Sequence, residues 1–306
     1  MPIKYPSARA GLEGASTQPD VPAVAEKNEV AGLDALELGP KLQKTNPGRR
    51  IWRNTWPKLA AIAIVLLAWQ ITVWSEWKPV YVLPSPETVF TDLGNVITTA
   101  DFWDGVRVTM TRAFTGFLLA VVIGTIIGAL VSQFAPLRAA IGSLITGLQT
   151  MPSIMWFPLA ILLFQLSESA ILFVVVLGAA PSVANGLISG IDYVPRTWLR
   201  VGQVLGMKGL AKYRHLILPA SLPSFISGLK QGWAFSWRSL MAGELLVIVP
   251  GALSIGVRMQ QARDLSDSSL VICYIIVVLV IGILIDVLFN AADNALRRRW
   301  GLLSNS

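Results

Sequence analysis

The chain has 306 residues and a formal charge of +7, with 54% hydrophobic residues, only 14% charged ones and a mean hydropathy of +0.60. A soluble domain carries about 25% charged residues, so an ordinary soluble enzyme is excluded and an all-α polytopic membrane protein is indicated. The positive charge is scattered among apolar runs and their flanks, which points to orientation and anionic lipid rather than to nucleic acid.

In chain order, residues 1 to about 50 are rich in Pro, Gly, Ala, Glu and Lys without a sustained period, and read as a disordered cytoplasmic tail. They hold no apolar core of about 7–15 residues behind a charged start, so no cleavable signal peptide is expected. Residues 51–306 read as one transmembrane domain. A helix needs about 20 apolar residues to cross the hydrocarbon core, and six candidate spans follow: 58–75, 112–134, 141–163, 169–191, 222–248 and 269–290. Orientation comes from Lys and Arg. The collar before the first span, Arg138, the loop at 194–221 and the run at 297–299 carry most of the basic residues and belong inside. Lys78, Arg107, Arg112, Arg258 and Arg263 then fall outside among acidic residues, and both termini are cytoplasmic.

The first outer loop, 76–111, contains LPSPETV at 83–89. Pro84 and Pro86 break any helix there, and Ser85 is placed to cap one that starts at Pro86. An amphipathic surface helix with aromatic anchors at Phe102 and Trp103 is expected, or else a solvent-facing connector. In the second span Gly124 and Gly128 form a GxxxG, the spacing of closely approaching helices. The fourth span has a similarly small face around Gly178, Ser182 and Gly186, suited to packing or to lining a passage; its Pro181 is tolerable where neighbours satisfy the freed carbonyl.

Between spans four and five the chain changes character. Arg196, Arg200, Lys208, Lys212 and Arg214 occur without an acidic residue, with Pro195 at the start, Gly202, Gly206 and Gly209 as weak points and Pro219 as a stop. Such a basic loop stays in the cytoplasm and meets a partner there. Span five then carries Lys230, Arg238 and Glu244. A charge at the bilayer centre costs roughly 2.5–3.5 kcal/mol, so these groups face a bundle interior, a wet cavity or a partner. At about 1.5 Å per residue, Lys230 lies in the inner third, Arg238 near the middle and Glu244 near the outer boundary. Asp286 on span six comes to the depth of Lys230, with Asn290 and Asp293 on the same face. Either Asp286 pairs with Lys230, or it only begins the polar inner end of its span. Arg238 either presents positive charge to an anionic cargo or is structural.

Chemistry-bearing motifs are missing. GxxxxGK[ST], GxGxxG and HExxH do not occur, and the sole His215 sits in the basic loop. One Cys, Cys273, gives no disulfide framework or zinc set. No catalytic residue, metal site or cofactor in this chain is expected.

The segment LRVGQVLGMKGLAKYRHLILPASLPSFISG at 199–228 resembles the cytoplasmic loop of permease subunits of binding-protein-dependent ABC importers, in which EAA is followed by Gly and I-x-LP. Gly206 matches the glycine and residues 216–219 stand for I-x-LP. Arg200-Val201-Gly202 replaces EAA, so the family's acid is absent. LPSPETV at 83–89, MPSIMWFPLAILLF at 151–164 followed by Glu168, and WAFSWRSLMAGELL at 233–246 are similar to the nitrate/sulfonate/taurine/bicarbonate branch, most of all to aliphatic sulfonate permeases. The likeness runs over about 57–301.

The resemblance implies a type I permease fold in the bacterial plasma membrane. It implies two permease copies, as a homodimer, two cytoplasmic ATPases that hold ATP and Mg, and an outer binding protein that delivers cargo. It also implies ATPase coupling through Arg200, Gly202, Leu205, Gly206, Met207, Lys208, Gly209 and Pro219, on a coupling helix centred on about 199–212. The cargo expected is a small oxyanion, an aliphatic sulfonate first; nitrate, taurine, bicarbonate or a pyrimidine precursor are alternatives in the branch. A stand-alone carrier or channel is the alternative from another class, but it predicts inverted repeats, and none is evident.

Overall fold

A computed structural model describes residues 47–299, all helix and connecting turns. The disordered tail expected over 1–50 lies outside the described residues up to 46, and its last four residues, 47–50, are the first turn of a helix. The chain divides into two units, 1–64 and 65–306. In the first, the described residues form the start of α1 (Pro47–Trp74), whose Trp52, Trp56, Leu59, Ile62 and Ile64 are exposed.

In the second unit, the end of α1 is tied to the following loop by Trp69, whose indole N–H donates to the Pro84 carbonyl at 3.1 Å. Ser85 caps α2 (Pro86–Ile97) as expected, its hydroxyl accepting from the Thr88 N–H. The helix is amphipathic, as expected: it buries Val89 and packs one face against the last described helix, α11 (Ser268–Arg299), while Glu87, Thr88, Thr91 and Asn95 stay exposed. The Cys273 thiol meets the Val89 carbonyl at 3.3 Å, and Ser269 bonds Asp92. The next helix, α3 (Ala100–Gln133), begins twelve residues before the expected span and is capped by Thr99. It therefore absorbs Phe102 and Trp103. Phe102 is a core residue against Ile255 and Tyr274 rather than a surface anchor, while Trp103 stays exposed.

The single span expected at 141–163 is also corrected. It is a broken pair, α4 (Ala135–Thr150) and a 3-10 turn at Ser153–Trp156 leading into α5 (Phe157–Phe164), bent by 105°. Pro152 is the cause. It holds Met151 extended (φ −77°, ψ 130°) and has no N–H to continue the ladder.

Helix α6 (Glu168–Asp192) forms the centre, packed against α3 on one side and α9 (Leu218–Leu246) on the other. Small residues allow it. A Cβ on Gly124 would stand 2.5 Å from the Ala180 carbonyl oxygen, and one on Gly128 2.9 Å from that of Ala184, so the GxxxG is a true packing face. At the other contact Gly186 and Gly228 touch backbone to backbone. Around these crossings Phe157, Ile171, Val174, Val175, Trp233 and Leu240 make the largest core cluster. A short α10 (Ile255–Asp264) then leads to α11.

Among the described residues four helices, α1, α3, α6 and α11, are long and apolar enough to cross a membrane, and the bent α4–α5 pair adds a fifth if it is one span. Of the six spans expected, α9 has the length, 29 residues, but its charged and polar positions keep it below that hydropathy.

Candidate functional site

At one end of the bundle, α7 (Arg196–Val204), α8 (Gly209–Lys212) and a π-helical turn (Tyr213–Ile217) connect α6 to α9. The expected helix over 199–212 is thus two pieces with a turn between them. The turn follows from Gly206, whose φ of +72° is the left-handed conformation that closes a helix C-terminus. The Gly206 N–H donates to Gln203 O at 3.0 Å and the Met207 N–H to Gly202 O at 2.9 Å, which satisfies the last carbonyls of α7. Gly209 (φ +53°) makes the second break.

Of the residues expected to couple, Arg200, Leu205, Gly206, Lys208 and Gly209 are exposed, and Met207 and Pro219 are partly covered. Gly202 is corrected from a contact residue to a packing one: it is buried, and a Cβ there would lie 2.9 Å from Leu216 Cδ2. The structure adds residues that the sequence reading missed. These are Trp198, Val201 and Val204, which with the expected Leu205 form an exposed apolar ridge, Val204 being 87% exposed, beside Arg196 and Arg200. The i, i+3, i+6 spacing of Trp198, Val201 and Val204 was the available signal. An uncovered apolar ridge with a basic rim is a protein-docking feature.

On the half-exposed seam between α9 and α11, Lys230 and Asp286 meet. Lys230 Nζ is 3.2 Å from Asp286 Oδ1 and donates to Asn290 Oδ1 at 2.7 Å, while Asn290 Nδ2 donates to Asp286 Oδ2 at 2.8 Å. This closed triad ties α9 to α11. Lys230→Asp and Asp286→Lys should each lower the amount of protein in the membrane, and the double swap should restore it; a swap that recovers nothing would count against the two acting as a charge pair.

Of the three placements expected for the charges of span five, Glu244 takes the bundle interior. It lines no passage but is fully buried, where it accepts from Thr109 Oγ1 at 2.9 Å, Arg112 Nη1 at 3.1 Å and the Gly256 N–H at 3.1 Å. Arg112, counted among outer-loop charges from sequence, is 4% exposed on α3 and also pairs in a fork with Glu168 at the start of α6. Thr109 Oγ1 accepts in turn from the Ile255 N–H at 3.0 Å. One network therefore clamps α3, α6, α9 and α10 together.

Arg238 stands apart from these pairs. It is exposed on α9, with Nε donating to the Ala234 carbonyl at 3.2 Å and its guanidinium 4.9 Å from the Phe235 ring centre. No carboxylate lies within 4.0 Å of it among the described residues. With Ser227, Gln231 and Ala234 it forms the uncovered stripe of α9, a polar face that a bilayer would not tolerate bare.

Comparison with known proteins finds relatives over most of the chain. The nitrate import permease protein NrtB of Synechocystis sp. is 28% identical over 235 residues, covering 74% of this chain and 83% of that protein. The bicarbonate transport system permease protein CmpB of Synechococcus elongatus is 28% identical over 241 residues, 74% and 84% of the two chains. A Bacillus subtilis protein named for aliphatic sulfonates transport, SsuC, is 29% identical over 258 residues, 82% and 92%. Among solved structures, a chain of the inward facing MetNI methionine ABC transporter shares the fold with a TM-score of 0.55 at 17% identity, over 63% of this chain and 94% of that one. Residues 120–298, more than half of the 306, match the family of inner membrane components of binding-protein-dependent transport systems. The chain belongs to that family: it is a multi-pass permease subunit of an ABC importer in the plasma membrane.

Proposed function

We propose that this permease forms, as a homodimer, the translocation pathway for a small oxyanion, an aliphatic sulfonate first, driven by two cytoplasmic ATPases and supplied by an outer binding protein. Six crossings with both termini cytoplasmic would count α1, α3, the α4–α5 pair, α6, α9 and α11. ATP and Mg reside on the ATPase, and none of the chemistry is on this chain. The observation that carries the coupling half of the reading is the exposed ridge of α7 above the Gly206 turn. The cargo half rests on Arg238, uncovered and without a carboxylate partner among the described residues. A guanidinium grips oxyanions with paired donors, and relatives named for nitrate, bicarbonate and aliphatic sulfonates share that chemistry. Nitrate, taurine, bicarbonate or a pyrimidine precursor is the second reading within the same branch.

The missing EAA acid bears on how the loop docks. With Arg200 in its place, docking relies on the apolar ridge and on basic groups meeting acidic groups of the ATPase. Co-purified permease and ATPase, reconstituted with the binding protein, should show vanadate-sensitive sulfonate uptake; uptake by the permease alone would favour a stand-alone carrier. In that preparation Gly206→Pro should abolish uptake and cargo-stimulated ATP hydrolysis together, because proline cannot adopt φ +72°. The dimer should still assemble, since the turn is exposed and a Cβ there would meet nothing within 4 Å. Unchanged transport in this variant would remove the lever role of the loop.

A further inference from the structure

The bend between α4 and α5 opens a cavity of about 400 Å³ against α6 and α9. Its polar groups are few. Ser153 lies on the bend, Gln149 at the end of α4 and Arg238 on α9. The Arg238 Nε is already used on the Ala234 carbonyl and the guanidinium is held over Phe235, while neither terminal nitrogen has a hydrogen-bond acceptor among the described residues. Gly178 of α6 also lines the cavity, and a Cβ there would stand 2.6 Å from Ser239 Oγ. That hydroxyl is fully buried and lacks a hydrogen-bond partner, so the bare glycine leaves an orphan donor behind the cavity wall. Thr150 also lines it, its hydroxyl donating to the Gly147 carbonyl at 2.9 Å, and the remaining wall is apolar, with Met151, Ile154, Trp156 and Ala242 beside Phe235.

We infer that this cavity is a cargo subsite within the permease, and that it takes an organic oxyanion with an apolar body in preference to an inorganic ion. The inference rests on the oxyanion reading above and adds the place and the selectivity. The charged head is held by the two free ends of the Arg238 fork, with the Ser153 hydroxyl as a further donor. The hydrocarbon body lies along Met151, Ile154 and Trp156. Volume separates the candidates. Drug-sized ligands occupy pockets of about 300–1,000 Å³, whereas a four-atom ion displaces roughly two waters of about 30 Å³ each. Such an ion would leave most of the cavity wet and the apolar wall without a role.

The test is equilibrium binding of radiolabelled 1-butanesulfonate to the purified permease–ATPase complex without the binding protein, with unlabelled methane-, ethane- and propanesulfonate and nitrate as competitors. Affinity should rise about fourfold with each methylene, which places methanesulfonate about 60-fold below butanesulfonate, and nitrate should be the weakest. Arg238→Gln should weaken every sulfonate by about tenfold and keep the chain-length trend. Trp156→Ala should flatten the trend while methanesulfonate binds as before. A flat series in the unaltered protein, nitrate matching butanesulfonate, or unchanged binding in Arg238→Gln would overturn the subsite; the series on the unaltered protein needs no variant to fold. ATP-driven oxyanion uptake with a flat series would sink the subsite alone. The expected series without ATP-driven uptake of any oxyanion would sink the transport reading and leave the subsite standing.

Discussion

Glu244→Ala should remove most of the folded permease from the membrane. The change strips Arg112 of one of its two carboxylates and leaves Thr109 and the Gly256 N–H without their acceptor, all in a site closed to water. Breaking a buried pair by removing one partner costs about 3–5 kcal/mol, a large part of the roughly 5–15 kcal/mol that holds a typical domain. The damage should spread, because the network is where α10 is joined to α3 and α9. Glu244→Gln, which keeps an acceptor but loses the charge, should fall between. Replacing both partners, as Arg112→Met with Glu244→Met, should recover part of the loss, since no unpaired charge then remains in the centre of the network. The measurement is the fraction of protein that stays monodisperse in mild detergent after heating. If Glu244→Ala survives heating as the parent does, the clamp contributes nothing.

The second large effect is at the crossing of α6 and α9. A Cβ on Gly186 would lie 2.5 Å from the Gly228 Cα, and one on Gly228 2.6 Å from the Gly186 Cα. Both obstacles are backbone, so no side chain can swing aside and the helices themselves must part. Overpacking typically costs about 1–3 kcal/mol when side chains can give; Gly186→Leu should exceed that and yield aggregated protein. Gly94→Ala on α2 is the matched control, with nothing within 4 Å of the new Cβ and a better helix former in place. It should behave as the parent or slightly better. Equal behaviour of Gly186→Leu and Gly94→Ala would mean that the crossing is not as close as described.

Several features were legible before any coordinates. The Ser85 cap, the close GxxxG face, the basic loop and the Lys230–Asp286 contact each depend on residue type and spacing within one or two helices. Gly206 as a turn was legible for the same reason: glycine next to a run of helix formers marks an end. The errors share a different cause. Arg112 looked like a loop residue because hydropathy drops there, yet a charge counts as exposed only until its partner is known. Glu168 and Glu244, the partners that make its burial bearable, are 56 and 132 residues away. Likewise Gly202 looked like part of a contact surface, and only Leu216 folding back over it made it internal.

The sequence by itself determined the membrane class, the family, the approximate positions of four of the six expected spans, the cap and turn positions and the basic connection, because these follow from local composition and from period. Tertiary structure decided the rest. It joined Arg112 to two distant carboxylates, set Gly186 against Gly228, and turned the break at Pro152 into a cavity beside Arg238. Each of these needs two or more helices to be brought to a fixed register, and a linear sequence states which side chains exist but not which of them meet.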